Sequence, residues 1–177
     1  MNEQAKSPTT LPEIFLKPYD PSAHEANIYT LWQESGFFNP DNLPGDRSEQ
    51  FSIVMPPPNA NGSLHAGHAL FVTIQDIMIR FKRMQGKKAV WFPGADHAGF
   101  ETQVVYEKKL QKEGRSRFQM SDEELYQEIW DFTQSNKDFM ISQIKELGAS
   151  CDWDRLLFTL DERVVEVVHQ TFRKLEE

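Results

Sequence analysis

The order of hydrophobic and polar residues divides the chain into strand-like and helix-like segments. Two short apolar runs, FSIVM at residues 51–55 and AVWF at residues 89–92, predict buried β-strands. Elsewhere apolar residues recur every three or four positions, which predicts amphipathic helices before, between and after the strands. The predicted helices cover about residues 22–35, 63–85, 100–113, 121–147 and 159–177.

Serine or threonine followed by glutamate three residues later marks the start of three of these helices. The pairs are Ser22 with Glu25, Ser121 with Glu124 and Thr159 with Glu162. In such a pair each side chain accepts from the backbone N–H of the other residue, so we expect reciprocal caps. Ser63 is the expected cap of the long helix between the strands. Glycines at positions 36, 86 and 148 predict helix ends, because glycine readily adopts the left-handed conformation.

The helix between the two strands has one apolar face. Its members, predicted to pack in the core, are Leu70, Ile74, Ile77, Phe81 and Met84. Gln75, Arg80 and Arg83 are expected on other faces of this helix. A strand, a long helix and a second strand in this order predict a parallel βαβ unit, because parallel strands need a long crossover connection. The expected fold class is α/β, with short parallel strands and long helices.

Composition and charge limit the function classes. The 177 residues carry a formal charge of −8 and 39% are hydrophobic, which is typical of a soluble globular protein. The polar start MNEQAKSPTT and the lack of long apolar runs predict a cytoplasmic protein with no membrane segment. Cys151 is the single cysteine, so an intramolecular disulfide is excluded. Only residues 80–88 are noticeably basic, so we expect weak or no nucleic-acid binding by this chain itself.

Both predicted strands are followed by loops of unusual composition. The first reads PPPNANGSLHAGH at residues 56–68, and the second reads GADHAG at residues 94–99. If the strands are parallel, both loops leave the same edge of the sheet, where doubly wound folds bind ligands. The side chains expected at this edge are those of Pro56, Pro57, Asn59, His65, His68, Asp96 and His97. The prolines stiffen the first loop and leave its carbonyl groups free to accept from an ammonium group.

These residue types suit a phosphorylated ligand and an amine. A helix that begins near Ser63 presents unpaired N–H groups and the positive end of its dipole to a phosphate. His65 and His68 lie on one helix face and can donate to phosphate oxygens. Gly67 leaves room for close ligand approach, and Asp96 can accept from an ammonium group. A nucleoside triphosphate and a small amino acid are the predicted ligands.

Simpler explanations exist for each motif by itself. The two histidines could be metal ligands, although no nearby cysteine or carboxylate completes a set. Asp96 and His97 could form an ordinary turn or helix cap. The HxGH element alone is weak support for nucleotide binding. It becomes strong only with a strand before it and GADHAG after the next strand.

Together these motifs resemble those of the class I aminoacyl-tRNA synthetases. PPPNANGSLHAGHAL resembles the His-x-Gly-His signature of that class. The segments that resemble its valine-specific members are MIRFKRMQG, WFPGADHAG, LGASCDWDR and FTLDE. The resemblance extends from about residue 16 to the end of the chain. It implies a Rossmann-like nucleotide-binding fold, of which this chain would be the first half.

The resemblance also implies roles for the loop residues. His65 and His68 would be the catalytic residues and would contact ATP together with Gly67 and Asn59. The residues implied at the amino-acid site are Pro56, Pro57, Asn59 and Asp96, with Asp96 receiving the α-ammonium group. ATP with its Mg²⁺ and valine would react to valyl-adenylate and pyrophosphate, and the valyl group would pass to tRNA(Val). No metal bound by the protein itself is expected.

Four positions depart from the pattern of this family. Ala95 and Asn61 stand where threonine is usual, and Phe100 and Glu101 stand where isoleucine and alanine are usual. Ala95 removes a hydroxyl and Glu101 adds a charge near the amino-acid loop, so the resemblance does not define the fine geometry of the valine pocket.

The expected organisation is an amino-terminal extension followed by half of a catalytic domain. The extension covers residues 1–45, with one helix and poor order up to about residue 20, and the half-domain covers residues 46–177. The Lys-Met-Ser-Lys-Ser loop, the editing domain and the tRNA-reading helical domains of the family have no counterpart in the sequence. We therefore expect a valine–tRNA ligase fragment with weak or no activity alone. The alternatives are an inactive synthetase-like binding or regulatory module and, more distantly, a small nucleotidyltransferase.

Overall fold

The computed structural model describes residues 12–177. Residues 1–11 of the predicted polar lead-in lie outside this range, and the rest of it contains a 3-10 turn at Glu13–Leu16. The described helices are α1 at Pro21–Glu34, α2 at Ala66–Met84, α3 at Gly99–Lys112, α4 at Asp122–Glu146 and α5 at Glu162–Glu176. The described strands are β1 at Gln50–Val54, β2 at Lys88–Phe92, β3 at Gly94–Ala95 and β4 at Leu157–Phe158.

Strands β1 and β2 form a parallel pair that α2 connects. Gln50 lies opposite Lys88, and the register continues to Val54 opposite Phe92. The predicted parallel βαβ unit is therefore confirmed. A second parallel pair, β3 with β4, follows β2. No sequence pattern predicts this pair, because strands of two residues are too short for a period to show.

The prediction that β1 is buried is wrong. Its residues alternate between exposed and half-buried positions, and Val54 is 73% exposed. Among the described residues, β1 pairs with one strand, β2, and also packs against α2. Strand β2 is buried at alternate positions, with Ala89 and Trp91 fully enclosed. Trp91 donates from Nε1 to Oε1 of Gln75 at 3.0 Å, which satisfies its one polar group.

Helix α2 buries a different face from the predicted one. Val72 and Ile79 are its buried residues, each at most 1% exposed. The predicted core stripe is at least half exposed: Leu70 63%, Ile74 50%, Ile77 62%, Phe81 51% and Met84 81%. The prediction that this stripe packs in the core is wrong. The reason is a set of polar side chains on α2 that bind the segment after α4 and turn that side of the helix inward.

Asp76, Arg80 and Arg83 attach α2 to the segment after α4. Asp76 accepts from the backbone N–H and the hydroxyl of Ser150 at 2.9 and 2.6 Å, and Arg80 binds Asp76 at 2.5 Å. Arg80 also donates to the carbonyl of Gly148 at 2.8 Å, and Arg83 donates to the hydroxyl of Ser150 at 2.6 Å. Burial lowers the pKa of Arg83 to about 10. Asp76 and the terminal nitrogens of Arg83 thus have hydrogen-bond partners, which offsets part of the cost of removing their charges from water.

The start of α4 confirms a predicted cap, and the start of α1 contradicts one. Ser121 and Glu124 cap α4 reciprocally, with hydrogen bonds of 2.9 and 3.2 Å. The cap of α1 is Asp20, which accepts from the backbone N–H of Ser22 at 3.1 Å. The predicted pairing of Ser22 with Glu25 is wrong, because the helix begins at Pro21, two residues earlier than a cap at Ser22 would allow.

Two further helix starts differ from the prediction. Helix α2 begins at Ala66 with His65 as its N-cap, so Ser63 lies before the helix and does not cap it. Helix α5 follows Asp161, and the side chain of Thr159 is hydrogen-bonded elsewhere, so the predicted cap by Thr159 is wrong. The glycines predicted to end helices do have positive φ: Gly36, Gly86 and Gly148.

The core lies between β2, the inward side of α2, the last turns of α4 and the chain after it. Its enclosed residues are Met55, Ala60, Val72, Ile79, Trp91, Ala95, Met140, Ile144, Ala149, Cys151 and Phe158. Helix α1 has no buried residue, but the hydroxyl of Tyr29 donates to the carbonyl of Ala149 and accepts from Nε1 of Trp153, both at 2.8 Å. The division of the chain between residues 45 and 46 stays a prediction. None of the described helices is long and apolar enough to cross a bilayer.

Candidate functional site

The loop between β1 and α2, here called the first loop, lies against the loop between β3 and α3, here called the second loop. Asn59 of the first loop and Asp96 of the second form a parallel bridge. Ala60 donates its backbone N–H to the carbonyl of Asp96 at 2.7 Å. The two loops therefore meet at the carboxyl ends of the parallel strands, and their side chains share one edge of the fold.

The prolines of the first loop have different surroundings. Pro58 is buried, and its carbonyl accepts from the backbone N–H of Asp96 at 2.9 Å. Pro56 and Pro57 are exposed, and a Cβ atom on Gly94 would lie 3.2 Å from Cβ of Pro57. Glycine at this position lets the two segments approach closely. The carbonyl of Pro58 is engaged within the protein, so the predicted contact with a ligand ammonium group is left to Pro56 and Pro57.

His65 and His68 together form the start of α2. Nδ1 of His65 accepts from the backbone N–H of Gly67 at 3.1 Å. Nδ1 of His68 accepts from the backbone N–H of His65 at 3.2 Å, and the two ring centroids lie 4.0 Å apart. Both Nδ1 atoms are acceptors, which assigns the proton of each neutral ring to Nε2. Two Nε2–H donors are thus available to a ligand at the start of the helix.

The environment of His68 favours its neutral form. Partial burial lowers the pKa of His68, and the neighbouring imidazole of His65 lowers it further. Protonation at Nδ1 would also remove the hydrogen bond from the backbone of His65. His68 is therefore suited to donate from Nε2 without carrying a positive charge.

Metal binding by the histidine pair is the competing explanation for these rings. Their Nδ1 atoms accept from backbone N–H groups, so a cation could bind only at Nε2. Metal binding at Nε2 would need the tautomer with the proton on Nδ1, and that tautomer would lose the backbone hydrogen bonds. Within residues 12–177, no group of three or more His, Cys, Asp or Glu side chains is arranged to hold a metal ion. The helix-capping geometry accounts for the spacing of the pair without a metal.

Gly67 is required by the ring of His65. A Cβ atom at position 67 would lie 2.9 Å from Cε1 of His65, closer than such atoms approach, and 3.0 Å from Nδ1, so the ring would have to move. The space that the sequence assigns to an approaching ligand is filled here by the imidazole. Glycine at this position permits the histidine cap.

The backbone donors predicted near Ser63 lie elsewhere. Helix α2 begins at Ala66, two residues later than a helix capped by Ser63 would begin. The N–H of Leu64 donates to Oε1 of Gln143 on α4 at 2.9 Å, so it is not free for a phosphate. The positive end of the helix dipole lies at Ala66, directly beside the two imidazoles.

Asp96, His97 and Thr159 form a connected cluster at the second loop. Oδ1 of Asp96 accepts from the backbone N–H of Ala98 at 3.0 Å and from the hydroxyl of Thr159 at 3.1 Å. The same hydroxyl lies 2.6 Å from Nδ1 of His97 and accepts from its backbone N–H at 2.9 Å. Oδ1 therefore stabilises the turn at the second loop, which agrees with the simpler explanation of this motif as an ordinary turn or cap. Among the described residues Oδ2 has no hydrogen-bond donor, and it is the oxygen that a ligand amine could reach.

The sequence does not predict that two further residues, Thr159 and Gln143, contact the loops of this site. The capping pattern assigns Thr159 to α5, and Gln143 lies on a helix without any recognisable motif. Both reach the loops only through the fold. The pairing of β4 with β3 brings Thr159 to the second loop, and two-residue strands leave no periodic signal.

The four positions that depart from the synthetase pattern have different surroundings. Ala95 is fully buried in the core, so its side chain does not line the edge where the loops meet. Phe100 is 81% exposed, and Asn61 is half-buried. Glu101 contacts the first loop, where Oε2 accepts from Nδ2 of Asn59 at 2.9 Å.

Comparison with known proteins places these features in a family. Residues 27–177 match the model for class I tRNA synthetases (I, L, M and V). The chain is 43% identical over 162 residues to a valine–tRNA ligase of Chlamydia muridarum, a match that covers 91% of this chain and 17% of that protein. It is 45% identical over 161 residues to the chloroplastic/mitochondrial valine–tRNA ligase 2 of Arabidopsis thaliana, covering 91% of this chain and 16% of that protein. It is 44% identical over 168 residues to a valine–tRNA ligase of Carboxydothermus hydrogenoformans, covering 95% of this chain and 18% of that protein.

A solved structure supports the same fold. The chain resembles the Agrobacterium radiobacter K84 agnB2 LeuRS in its ternary complex with tRNA and LeuAMS, with a TM-score of 0.67 and 23% identity. The match covers 89% of this chain and 18% of that one. This chain therefore spans about a sixth of the length of these relatives, and its α/β fold is that of the class I synthetases. The resemblance of its motifs to this class is confirmed, and the chain belongs to the class I tRNA synthetases (I, L, M and V).

Proposed function

We propose that this chain carries the HxGH half of the active site of a valine–tRNA ligase. In the longer enzyme it would take part in ATP-dependent activation of valine to valyl-adenylate and in transfer of the valyl group to tRNA(Val). The observation that carries the proposal is the meeting of the two loops at one edge. The start of α2 with its two Nε2–H donors and the free Oδ2 of Asp96 lie on loops joined by the bridge between Asn59 and Asp96.

The proposed chemistry is positioning and charge stabilisation. A carboxylate oxygen of valine attacks the α-phosphorus of ATP, the bond to the bridging oxygen of the β-phosphate breaks, and pyrophosphate leaves with Mg²⁺ that arrives with ATP. His65 and His68 donate from Nε2 to phosphate oxygens as negative charge builds on them. Gly67 permits this arrangement of the rings, and Asn59 lies beside the adenosine. Asp96 receives the α-ammonium group on Oδ2, between Pro56 and Pro57 of the first loop and the start of α3.

The partners follow from this reaction. Valine and ATP bind at the loops, and tRNA(Val) binds through the longer enzyme. The formal charge of −8 argues against strong tRNA binding by this chain alone. A cytoplasmic location is part of the proposal, on the basis of the single cysteine.

A calorimetric titration with a non-hydrolysable valyl-adenylate analogue tests the proposal. We expect saturable binding by the wild-type chain and loss of binding in Asp96→Ala. His68→Asn and His68→Gln separate two roles of one ring, because asparagine keeps an acceptor near Nδ1 and glutamine keeps a donor near Nε2. His68→Asn should leave the helix start intact and weaken binding.

The matched control is His24→Ala, which removes a histidine from the exposed helix α1. It should leave affinity unchanged. A folded wild-type chain that does not bind the analogue, or that binds it with equal affinity after Asp96→Ala, would contradict the proposal. In the first case an inactive synthetase-like module would be the better description of this chain.

A further inference from the structure

Glu101 reaches from α3 to the first loop. Its Oε2 atom accepts from Nδ2 of Asn59 at 2.9 Å, across 42 residues of sequence. Glu101 is the third residue of α3, and the helix is preceded by Ala98 in the left-handed conformation with φ 54°. Through this contact the first turn of α3 reaches Asn59, the residue that faces Asp96 in the bridge. Glu101 therefore closes the same pair of loops that the backbone bridge joins.

The contact decides which way the Asn59 amide points. An amide carries a donor and an acceptor at its two ends, and a 180° rotation exchanges them at little steric cost. A carboxylate only accepts, so Glu101 selects the orientation in which Nδ2 faces α3. Oδ1 of Asn59 is then turned away from α3 as an acceptor.

The orientation of Asn59 matters because of its neighbour. Residues that face each other in a parallel bridge project their side chains to the same side. Asn59 and Asp96 are such a pair, and Oδ1 of Asp96 is occupied by Ala98 and Thr159. In this pair, the acceptor atoms that no described residue engages are Oδ1 of Asn59 and Oδ2 of Asp96. Two acceptors on the same side suit an ammonium group, which has three donors.

We propose that Glu101 is a positioning residue of the amino-acid site, which holds Asn59 so that its Oδ1 and Asp96 jointly accept from the α-ammonium group of the substrate. The inference rests on the proposed function. It adds a role in substrate specificity for a residue that touches neither the carboxylate of valine nor the α-phosphorus of ATP. Rotation of the Asn59 amide would present an NH₂ group to the ammonium and weaken binding of amine-bearing ligands alone.

The first arm of the test needs no ligand. The side-chain NH₂ resonances of Asn59 are followed by ¹⁵N–¹H NMR in the wild-type chain, Glu101→Gln and Glu101→Ala. We expect the hydrogen-bonded NH₂ signals to shift and to exchange faster in Glu101→Ala, with partial rescue in Glu101→Gln, which keeps an acceptor oxygen. Unchanged Asn59 side-chain signals in Glu101→Ala would overturn the inference.

The second arm compares two probes by calorimetry: a non-hydrolysable valyl-adenylate analogue and its des-amino counterpart, which lacks the α-ammonium group. Glu101→Ala should weaken the first probe roughly tenfold, the size expected for one hydrogen bond to a charged group, and the second less than about twofold. Glu123→Ala is the matched control, because Glu123 is also an acidic residue in the first turn of a helix, α4, away from the loops. It should change neither affinity.

The outcomes separate the two proposals. An equal loss of affinity for both probes in Glu101→Ala would mean a general effect on the loops and would overturn the positioning role, with the proposed function intact. Failure of the wild-type chain to bind either probe would overturn the proposed function, and the role of Glu101 would fall with it. Selective loss of the ammonium-bearing probe supports both.

Discussion

The backbone N–H of Leu64 donates a hydrogen bond of 2.9 Å to Oε1 of Gln143, a residue 79 positions further along the chain. Leu64 is the last residue before His65, the N-cap of α2, and Gln143 lies near the end of α4. This hydrogen bond joins α4 to the start of the helix that carries both histidines. Leu64 and Gln143 are half-buried, so the bond is partly shielded from competing water.

Replacement of Gln143 by leucine should release the first loop. The N–H of Leu64 would lose its acceptor in a partly buried place, at a cost of about 1 to 3 kcal/mol of unfolding free energy. We expect a lower urea midpoint and much faster hydrogen exchange at the Leu64 amide. Gln143→Glu keeps the acceptor and should retain most of the protection. Equal exchange rates at Leu64 in the wild-type chain and in Gln143→Leu would contradict the role of this contact.

Replacement of Thr159 by valine should loosen the second loop. The change keeps the shape of the side chain but removes the hydroxyl that contacts Asp96 and His97 at 3.1 and 2.6 Å. We expect a loss of about 1 to 3 kcal/mol in urea denaturation, because the His97 backbone N–H and Oδ1 of Asp96 each lose a partner. The ¹⁵N shifts of the His97 ring should change as Nδ1 loses the hydroxyl.

Thr159→Ser and Thr171→Val are the controls for this prediction. Serine keeps the hydroxyl and should keep the His97 ring shifts. Thr171 is exposed on α5 and its hydroxyl bonds to the carbonyl of Val167, so its replacement should cost little. The hydroxyl of Thr159 would be irrelevant to the second loop if Thr159→Val left the ring shifts of His97 unchanged.

Protonation of His68 should lower the stability of the folded chain at acidic pH. The pKa of His68 is lowered in the folded state below the ordinary value of 6.5, so the unfolded chain binds the proton more tightly. The contribution is complete above about pH 6.5 and is lost as the pH falls through the folded-state pKa. Urea denaturation at a series of pH values should therefore show a urea midpoint that falls as the pH is lowered below about 6.5.

His68→Asn tests that assignment. Asparagine does not titrate and keeps an acceptor for the backbone N–H of His65, so the acid-side decline should become shallower. His24→Asn, on the exposed helix α1, should leave the decline as it is in the wild-type chain. A decline of the same steepness in His68→Asn would assign the acid sensitivity to another group.

Local patterns were sufficient for the parts of the site that follow one another in sequence. The apolar runs and the helical spacing predict the parallel pair β1 and β2, and from that pair it follows that the two loops share an edge. The same patterns could not predict Gln143, Thr159 or the contact of Glu101 with Asn59. These side chains act across 42 to 79 residues, and a contact of that kind leaves no period or spacing in the sequence.

The spacing of His65 and His68 predicts that the two rings are neighbours, and they are. The physical reason differs from the one that the sequence suggests. The sequence suggests two imidazoles on one face of an already formed first turn. In the structure His65 is the cap itself, and His68 accepts from its backbone. The spacing of three residues lets His68 accept from the backbone N–H of His65, while His65 accepts from Gly67, so histidine Nδ1 atoms take the place of the usual hydroxyl and carboxylate oxygens of a helix cap.

The inverted face of α2 gives a direct comparison between two isoleucines of one helix. Ile79 is fully buried in the core, whereas Ile77, which belongs to the predicted core stripe, is 62% exposed. Periodicity alone ranks Ile77 as the core residue. The hydrogen bonds of Asp76 and Arg83 to Ser150 set the rotation of the helix instead.

Alanine at each position should separate the two explanations. Ile79→Ala should cost about 3 kcal/mol, because it removes buried methyl and methylene groups and leaves a cavity. Ile77→Ala should change the unfolding free energy by less than about 1 kcal/mol, since the lost surface is largely in water and alanine has the higher helix propensity. Both variants are measured by urea denaturation at two protein concentrations, because an exposed apolar stripe can also mediate self-association. A larger loss in Ile77→Ala that is independent of concentration would mean that the predicted stripe, and not the Val72 and Ile79 side, faces the core of the folded chain.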